Sequence, residues 1–273
     1  MLFLFAQAVS QMQIESANAL DNSNGVISGN GAVRLVGNSL LNDGGLIAAN
    51  GALDILSANS LSNLAGQIAA DGNIDIDAAS IGNDGGSVDV LSSVTIRTGN
   101  LANGNGAVIA RGGTGLDEGG GSHGALTFNN GADGLIGSSD NLTIDAANIT
   151  NAGTIVGSHT LITATTLTNT GLVQGTDLTL NAPTFTNSGE VSAVNGLAVT
   201  ANNTDNRGGR LISGANGLTL TANELLNDAG TIGGSGDVTL RVAAINNGAG
   251  TVAAGLDYLI EANRLDNAAG GQI

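Results

Sequence analysis

A chain of 273 residues with a formal net charge of −16, no Cys, no Lys and no Trp excludes disulfide staples, thiolate metal sites and a basic face for nucleic acid. Charged residues make up only 11% and apolar ones 41%, the latter mostly Ala, Leu, Ile and Val, so this is neither an acidic disordered tail nor a chain short of core-forming surface. With 44 Gly, one Pro and five aromatic residues, the core must be narrow and the turns tight.

In chain order, the opening Met1-Leu2-Phe3-Leu4-Phe5-Ala6 is apolar. It lacks the positive flank of a signal peptide and falls far below membrane-spanning length. It reads as a terminal strand or the start of an excised fragment, and residues 1–19 as an N-terminal strand or edge coil. From there a mark of the form apolar–x–Asn recurs. It stands at Leu20-Asp21-Asn22, Leu40-Leu41-Asn42, Leu61-Ser62-Asn63, Ile81-Gly82-Asn83 and Leu101-Ala102-Asn103. After an interruption it returns at Ile149-Thr150-Asn151, Leu167-Thr168-Asn169 and Phe185-Thr186-Asn187. Thr204-Asp205-Asn206, Leu225-Leu226-Asn227, Ile245-Asn246-Asn247 and Leu265-Asp266-Asn267 complete the series. The spacing is 18 to 21 residues, most often 20, the sign of a repeat architecture.

Two further marks keep step with the first. Gly follows the Asn by three residues at Gly25, Gly45, Gly66, Gly86, Gly209, Gly230, Gly250 and Gly270, and by two at Gly153, Gly171 and Gly189. Variation in repeat length is therefore expected largely at that one turn. Ahead of each Asn lies an alternating apolar pair: Val33/Leu35, Ile74/Ile76, Val94/Ile96, Leu142/Ile144, Leu178/Leu180, Leu197/Val199, Leu218/Leu220, Val238/Leu240 and Tyr258/Ile260. Alternation of period two means a strand with one buried face. Ala at 78, 146, 182, 201, 222 and 262 suits an inside corner between strands. Pro183 follows one such corner, where its missing N–H interrupts no ladder.

Each repeat thus predicts about three short strands, and one such coil buries its apolar face only by stacking on the next. Parallel coils roughly 4.8 Å apart set like residues over like. Asn22, Asn42, Asn63, Asn83, Asn103, Asn151, Asn169, Asn187, Asn206, Asn227, Asn247 and Asn267 are expected to form a ladder of side-chain amides. The fold class is all-β: a parallel β-helix, or β-solenoid, of 12–13 coils of 18–21 residues over 20–273. A left-handed triangular helix needs hexapeptides. Residues 149–185 fit that, but 20-residue coils do not divide by six, whereas a right-handed β-helix accommodates them. Asn24-Gly25, Asn30-Gly31 and Asn50-Gly51 also suit hairpins, yet hairpins leave the fixed repeat unexplained.

The interruption runs from Leu101 to Ile149, and its excess falls in a Gly-rich stretch, residues 112–124. Inserted loops on a regular scaffold are favoured places for binding, so Arg111, Asp117, Glu118 and His123 are the candidate binding residues. Against this stands a solvated Gly-rich bulge with no role of its own. Gly112 to Asp117 matches the opening of a calcium-binding nonapeptide, but Gly119 stands where a large apolar residue is required and only one copy exists. His123 beside Asp117 and Glu118 has no second histidine near it, since His159 lies a coil or more away. Carboxylates are scattered singly and no nucleophile–base constellation occurs, so neither a catalytic residue, a metal nor a cofactor is expected. A polysaccharide-degrading β-helix is the remote enzymatic alternative, and the Arg207/Arg210 pair reads as a solvated basic spot.

Leu20-Asp21-Asn22-Ser23-Asn24-Gly25-Val26-Ile27 and Thr204-Asp205-Asn206-Arg207-Gly208-Gly209-Arg210-Leu211-Ile212-Ser213-Gly214 resemble haemagglutinin repeats. The chain, from about Ala19 to Gln272 apart from the interruption, is similar to the filamentous haemagglutinin-like exoproteins of Gram-negative bacteria, which include contact-dependent growth inhibition exoproteins. The resemblance implies a right-handed β-helix, secretion through an outer-membrane transporter of the two-partner type, and a structural or adhesive shaft at the cell surface. A cell-surface receptor or glycan is the implied partner, with no nucleic acid and a monomeric state. No secretion domain or C-terminal effector is evident, so a segment of something longer is expected.

Overall fold

The computed structural model describes residues 5–8 (backbone only), 10–119, 125–268 and 270–273. All regular structure among them is β-strand, and the strands pair in parallel, from Phe5↔Val26 to Asn246↔Asp266. The chain divides into two units, Met1–Ala147 and Asn148–Ile273. Each is a parallel β-solenoid, and together they make about 13 turns.

In the first unit a coil has three sides. Val26–Gly29 forms the first side, and Ala32–Leu41 bends at a corner to supply the second and third. The next coil repeats this as Leu46–Ala49 and Leu53–Ser62. Residues 5–21 already make a coil, since Phe5–Ala8, Gln11–Glu15 and Ala19–Asp21 pair in register with Val26–Gly29 and the two halves of Ala32–Leu41. Because strand side chains alternate, each side turns one residue class inward. On the first side Ile27, Ile47, Ile68, Val88, Val108 and Ile136 stack in register, each 0–3% exposed. Leu20, Leu40, Leu61, Ile81, Leu101 and Phe128 stack likewise on the third side, each 0–4% exposed. The inward row of aliphatics removes apolar area from water at about 25 cal/mol per Å², with small changes of shape from coil to coil.

The second unit repeats the plan with Thr154–Asn169 at its start and Arg264–Asp266 as its last strand. Leu178, Leu197, Leu218 and Val238 stack as predicted, and so do Leu180, Val199, Leu220 and Leu240. Tyr258 departs from the expected buried pair: it is 45% exposed, because its strand pairs with Val238–Arg241 on one side only. Of the predicted corner alanines, Ala78, Ala146, Ala182 and Ala222 are buried, Ala201 is half-buried and Ala262 exposed.

Length variation is not confined to the turn after Asn. The pairing slips by one residue at Ser57/Ser60, at the corner between second and third sides, and at Gly175/Asp177, between first and second. Ser57 is fully buried there, and its hydroxyl donates to the Ser60 carbonyl at 2.7 Å. A buried hydroxyl thus occupies the corner without an orphaned group.

Candidate functional site

The interruption resolves into a coil mark that sequence reading passed over. Phe128-Asn129-Asn130 is an apolar–x–Asn mark, with Phe128 and Asn130 both at 0% exposure. It went unseen because 27 residues separate Asn103 from Asn130, against 20 between Asn83 and Asn103. Its glycine, Gly134, also comes four residues after the Asn. The stretch 112–124 is therefore not one loop. Thr114–Asp117 is a strand, pairing Thr114 with Val94 and Leu116 with Ile96. A polar residue at an inward position had hidden it; the buried Thr114 hydroxyl is satisfied by the Gly137 carbonyl at 3.1 Å. The insertion lies after this strand. The Asp117 carbonyl accepts from Thr98 N–H, and the Gly99 carbonyl from Thr127 N–H. The two-residue corner Thr98-Gly99 thus faces nine residues, 118–126, and seven are extra.

The candidate binding residues are separated by this arrangement. Arg111 is exposed on the turn before Thr114–Asp117, at the opposite end of that strand from the insertion. Asp117 ends the strand and accepts from Gly119 N–H at 2.6 Å, an Asx-type turn that starts the insertion. Glu118 is half-buried beside it, and His123 lies outside the described residues. Below Asp117 sits Arg97, in ion pairs with Asp75 and, at 3.6 Å, with Asp77. These carboxylates, the Asp75 hydrogen bond first, hold the guanidinium above its ordinary pKa, with Asp117 adding to the field. One arginine thus offsets part of the charge of this acidic row, and no group of three metal-ligating side chains occurs among the described residues. The Arg207/Arg210 spot is likewise compensated: Arg207 bonds Asp205 at 2.6 Å and Arg210 meets Glu190 at 3.3 Å. Hydrogen bonding from Arg207 holds the Asp205 carboxyl below its usual pKa.

The asparagines form the most regular polar feature. In the first unit the Nδ2 of Asn22, Asn42, Asn63, Asn83 and Asn103 donates to the Oδ1 of the next rung at 2.7–2.8 Å, ending on Asn130. In the second, Asn151 to Asn247 do the same at 2.7–2.8 Å, ending on Asn267. The second Nδ2 hydrogen reaches a backbone carbonyl of the coil above, as Asn83 does to Ala107 at 3.2 Å. A Cβ on Gly45, Gly66, Gly86, Gly106 or Gly134 would overlap the carbonyl oxygen of the preceding rung, which is why glycine keeps step with asparagine. After Asn267 it is Gly271, not Gly270, that fills this place; Gly270 instead has a φ of +88°. The ladder amides are buried and direct their donors to the next rung and to backbone carbonyls, so the ladder holds coils together and offers nothing to a ligand.

A buried amide ladder on the inside of stacked three-sided coils defines a β-solenoid repeat protein. The haemagglutinin repeat model matches residues 14–63, 55–117, 121–182, 177–223 and 211–273, so the chain belongs to the haemagglutinin repeat family. Such repeats are structural, and they occur in secreted bacterial exoproteins. No curated protein and no solved structure matches the chain.

Proposed function

We propose that this chain is a shaft segment of a secreted exoprotein on the surface of a Gram-negative bacterium, holding other regions away from the cell in adhesion or cell–cell contact. The observation that carries the reading is the ladder with its keyed glycines: the chemistry repeated in each coil is directed inward, onto the neighbouring coil. The described outer faces carry a few ion pairs, such as Arg34 with Asp54 and Arg241 with Glu261, within a net negative surface, and shallow grooves such as that lined by Ala48, Ala69, Asp71, Asp89 and Leu91. The family reading carries with it a right-handed winding, export through an outer-membrane transporter, a monomeric state, no nucleic-acid partner and no catalysis.

A second reading, recognition of a cell-surface receptor or glycan, is favoured by one observation. Only the coil ending at Asn130 is lengthened, to 27 residues, and the insertion leaves the ladder bond beneath it at 2.8 Å. Removing residues 119–125 returns that coil to 20 residues. Labelled chain with and without this segment, each shown to be folded, is applied to bacterial and epithelial cells. The shaft reading expects no saturable binding from either; saturable binding lost on deletion replaces it with the recognition reading.

A further inference from the structure

We propose that Asn105 is the place where the folded chain undergoes spontaneous deamidation, and that the ladder residues Asn103, Asn130 and Asn247 are shielded although each also precedes a glycine. In this reaction the backbone nitrogen of the following residue attacks the Asn side-chain carbon. The new N–C bond forms as the C–Nδ2 bond breaks, and ammonia leaves carrying the proton of that backbone nitrogen. Water then opens the cyclic imide at either carbonyl to give Asp or isoAsp. Glycine in second place removes steric hindrance, and two things restrain the step: a hydrogen bond that holds the attacking N–H, and bonds that fix the side-chain amide.

The Asn-Gly pairs of this chain differ in both respects. Asn195-Gly196 lies inside the strand Glu190–Thr200, with Gly196 in register with Asp177 and Gly217 and Asn195 Nδ2 donating to Asp177 Oδ2 at 3.5 Å. Gly25, Gly51 and Gly217 each have their N–H on a backbone carbonyl, at 2.8, 3.1 and 3.1 Å. Ladder pairs are held twice. Gly104 N–H is taken by the Asp84 carboxylate, Gly131 N–H by the Asn103 carbonyl at 3.2 Å, and Gly248 N–H by Asn246 Oδ1 at 3.2 Å. Their side chains are also fixed, by Asn103 to Asn130, Asn130 to Gly134 and Asn247 to Asn267. Asn105-Gly106 has neither restraint. Among the described residues the exposed Asn105 makes no side-chain bond, and Gly106 N–H lacks the bond to the Asn carbonyl three residues back that Gly45, Gly66 and Gly86 make. The cause is local. The coil above has a corner one residue longer, Gly131 to Gly134, and the left-handed residue present at Asn24, Gly44, Ala65 and Gly85 is missing from this turn. Asn30-Gly31 stands at the corner that Asn50-Gly51 occupies one coil on, where Gly51 N–H meets the Gly31 carbonyl at 3.1 Å.

The test is peptide mapping by mass spectrometry of the full chain after incubation at mildly alkaline pH, folded and in denaturant. In the folded chain Asn105 is expected to convert at least about fivefold faster than Asn50, the factor one net hydrogen bond is worth. Asn103 and Asn247 are expected to be slower still, with all of these rates converging in denaturant. Equal rates at Asn105 and Asn50 in the folded chain, or conversion of Asn103 as fast as Asn105, would overturn the proposal.

Discussion

Replacing Asn83 by Asp changes one nitrogen to oxygen in the middle of the first ladder. Asn83 is 1% exposed; it accepts from Asn63 at 2.8 Å and donates to Asn103 Oδ1 at 2.8 Å and to the Ala107 carbonyl at 3.2 Å. The carboxylate keeps the first bond but turns both donations into oxygen–oxygen repulsions at a buried site. The folded state answers by binding a proton, so the cost of ionisation is capped at that of protonating an ordinary carboxyl at pH 7. That is about 3 pH units at 1.36 kcal/mol each, or about 4 kcal/mol. One lost hydrogen bond remains in the protonated form, adding about 1 kcal/mol. The folded pKa lies above the unfolded one, so the native state binds more protons and stability falls as pH rises through the unfolded value of about 3.9. Urea unfolding followed by circular dichroism from pH 4 to pH 7 should show the deficit growing from about 1 to about 5 kcal/mol. A deficit below about 1 kcal/mol with no slope in pH would show that the ladder does not hold the coils together.

Other substitutions test the remaining parts of the coil by the same unfolding assay. Gly86→Ala places a methyl on the Asn63 carbonyl oxygen, whereas Gly115→Ala meets nothing within 4 Å; the first should cost about 3 kcal/mol or more and the second under about 0.5 kcal/mol. Ala65 is held at a φ of +51° where neighbouring coils use Gly44 and Gly85, so Ala65→Gly should stabilise by about 0.5 kcal/mol. Thr204 occupies a core position at 1% exposure with its hydroxyl unpartnered, and Thr204→Val should stabilise by about 1 kcal/mol.

What could be read from the sequence was whatever repeats in strict step. Leu35, Ile76 and Ile96 announce a strand face by alternation, and Gly45, Gly66 and Gly86 announce the ladder because no other residue fits over the preceding carbonyl. Reading failed where two signals slipped together. Thr114 broke the apolar alternation while its hydroxyl was satisfied inside, and the insertion and a longer corner displaced both Asn130 and Gly134 from their expected places. The grouping of Arg111 with Asp117 rested on closeness in sequence, but a strand runs end to end between them. The pairing of Arg97 with Asp75, 22 residues away, follows from register, which composition does not reveal.

Within each unit the ladder amides all point one way, every Nδ2 donating to the rung of higher number. The rungs therefore behave as arrows laid head to tail. At the low-numbered end of the first unit Asn22 Oδ1 is buried and unpartnered, an acceptor placed to receive an arrow of the same sense. A coil laid on in the opposite sense would bring acceptor against acceptor or donor against donor. The stack is thus a one-way thread: coils can be added, deleted or exchanged between such chains as whole turns, and reversal is forbidden at every rung.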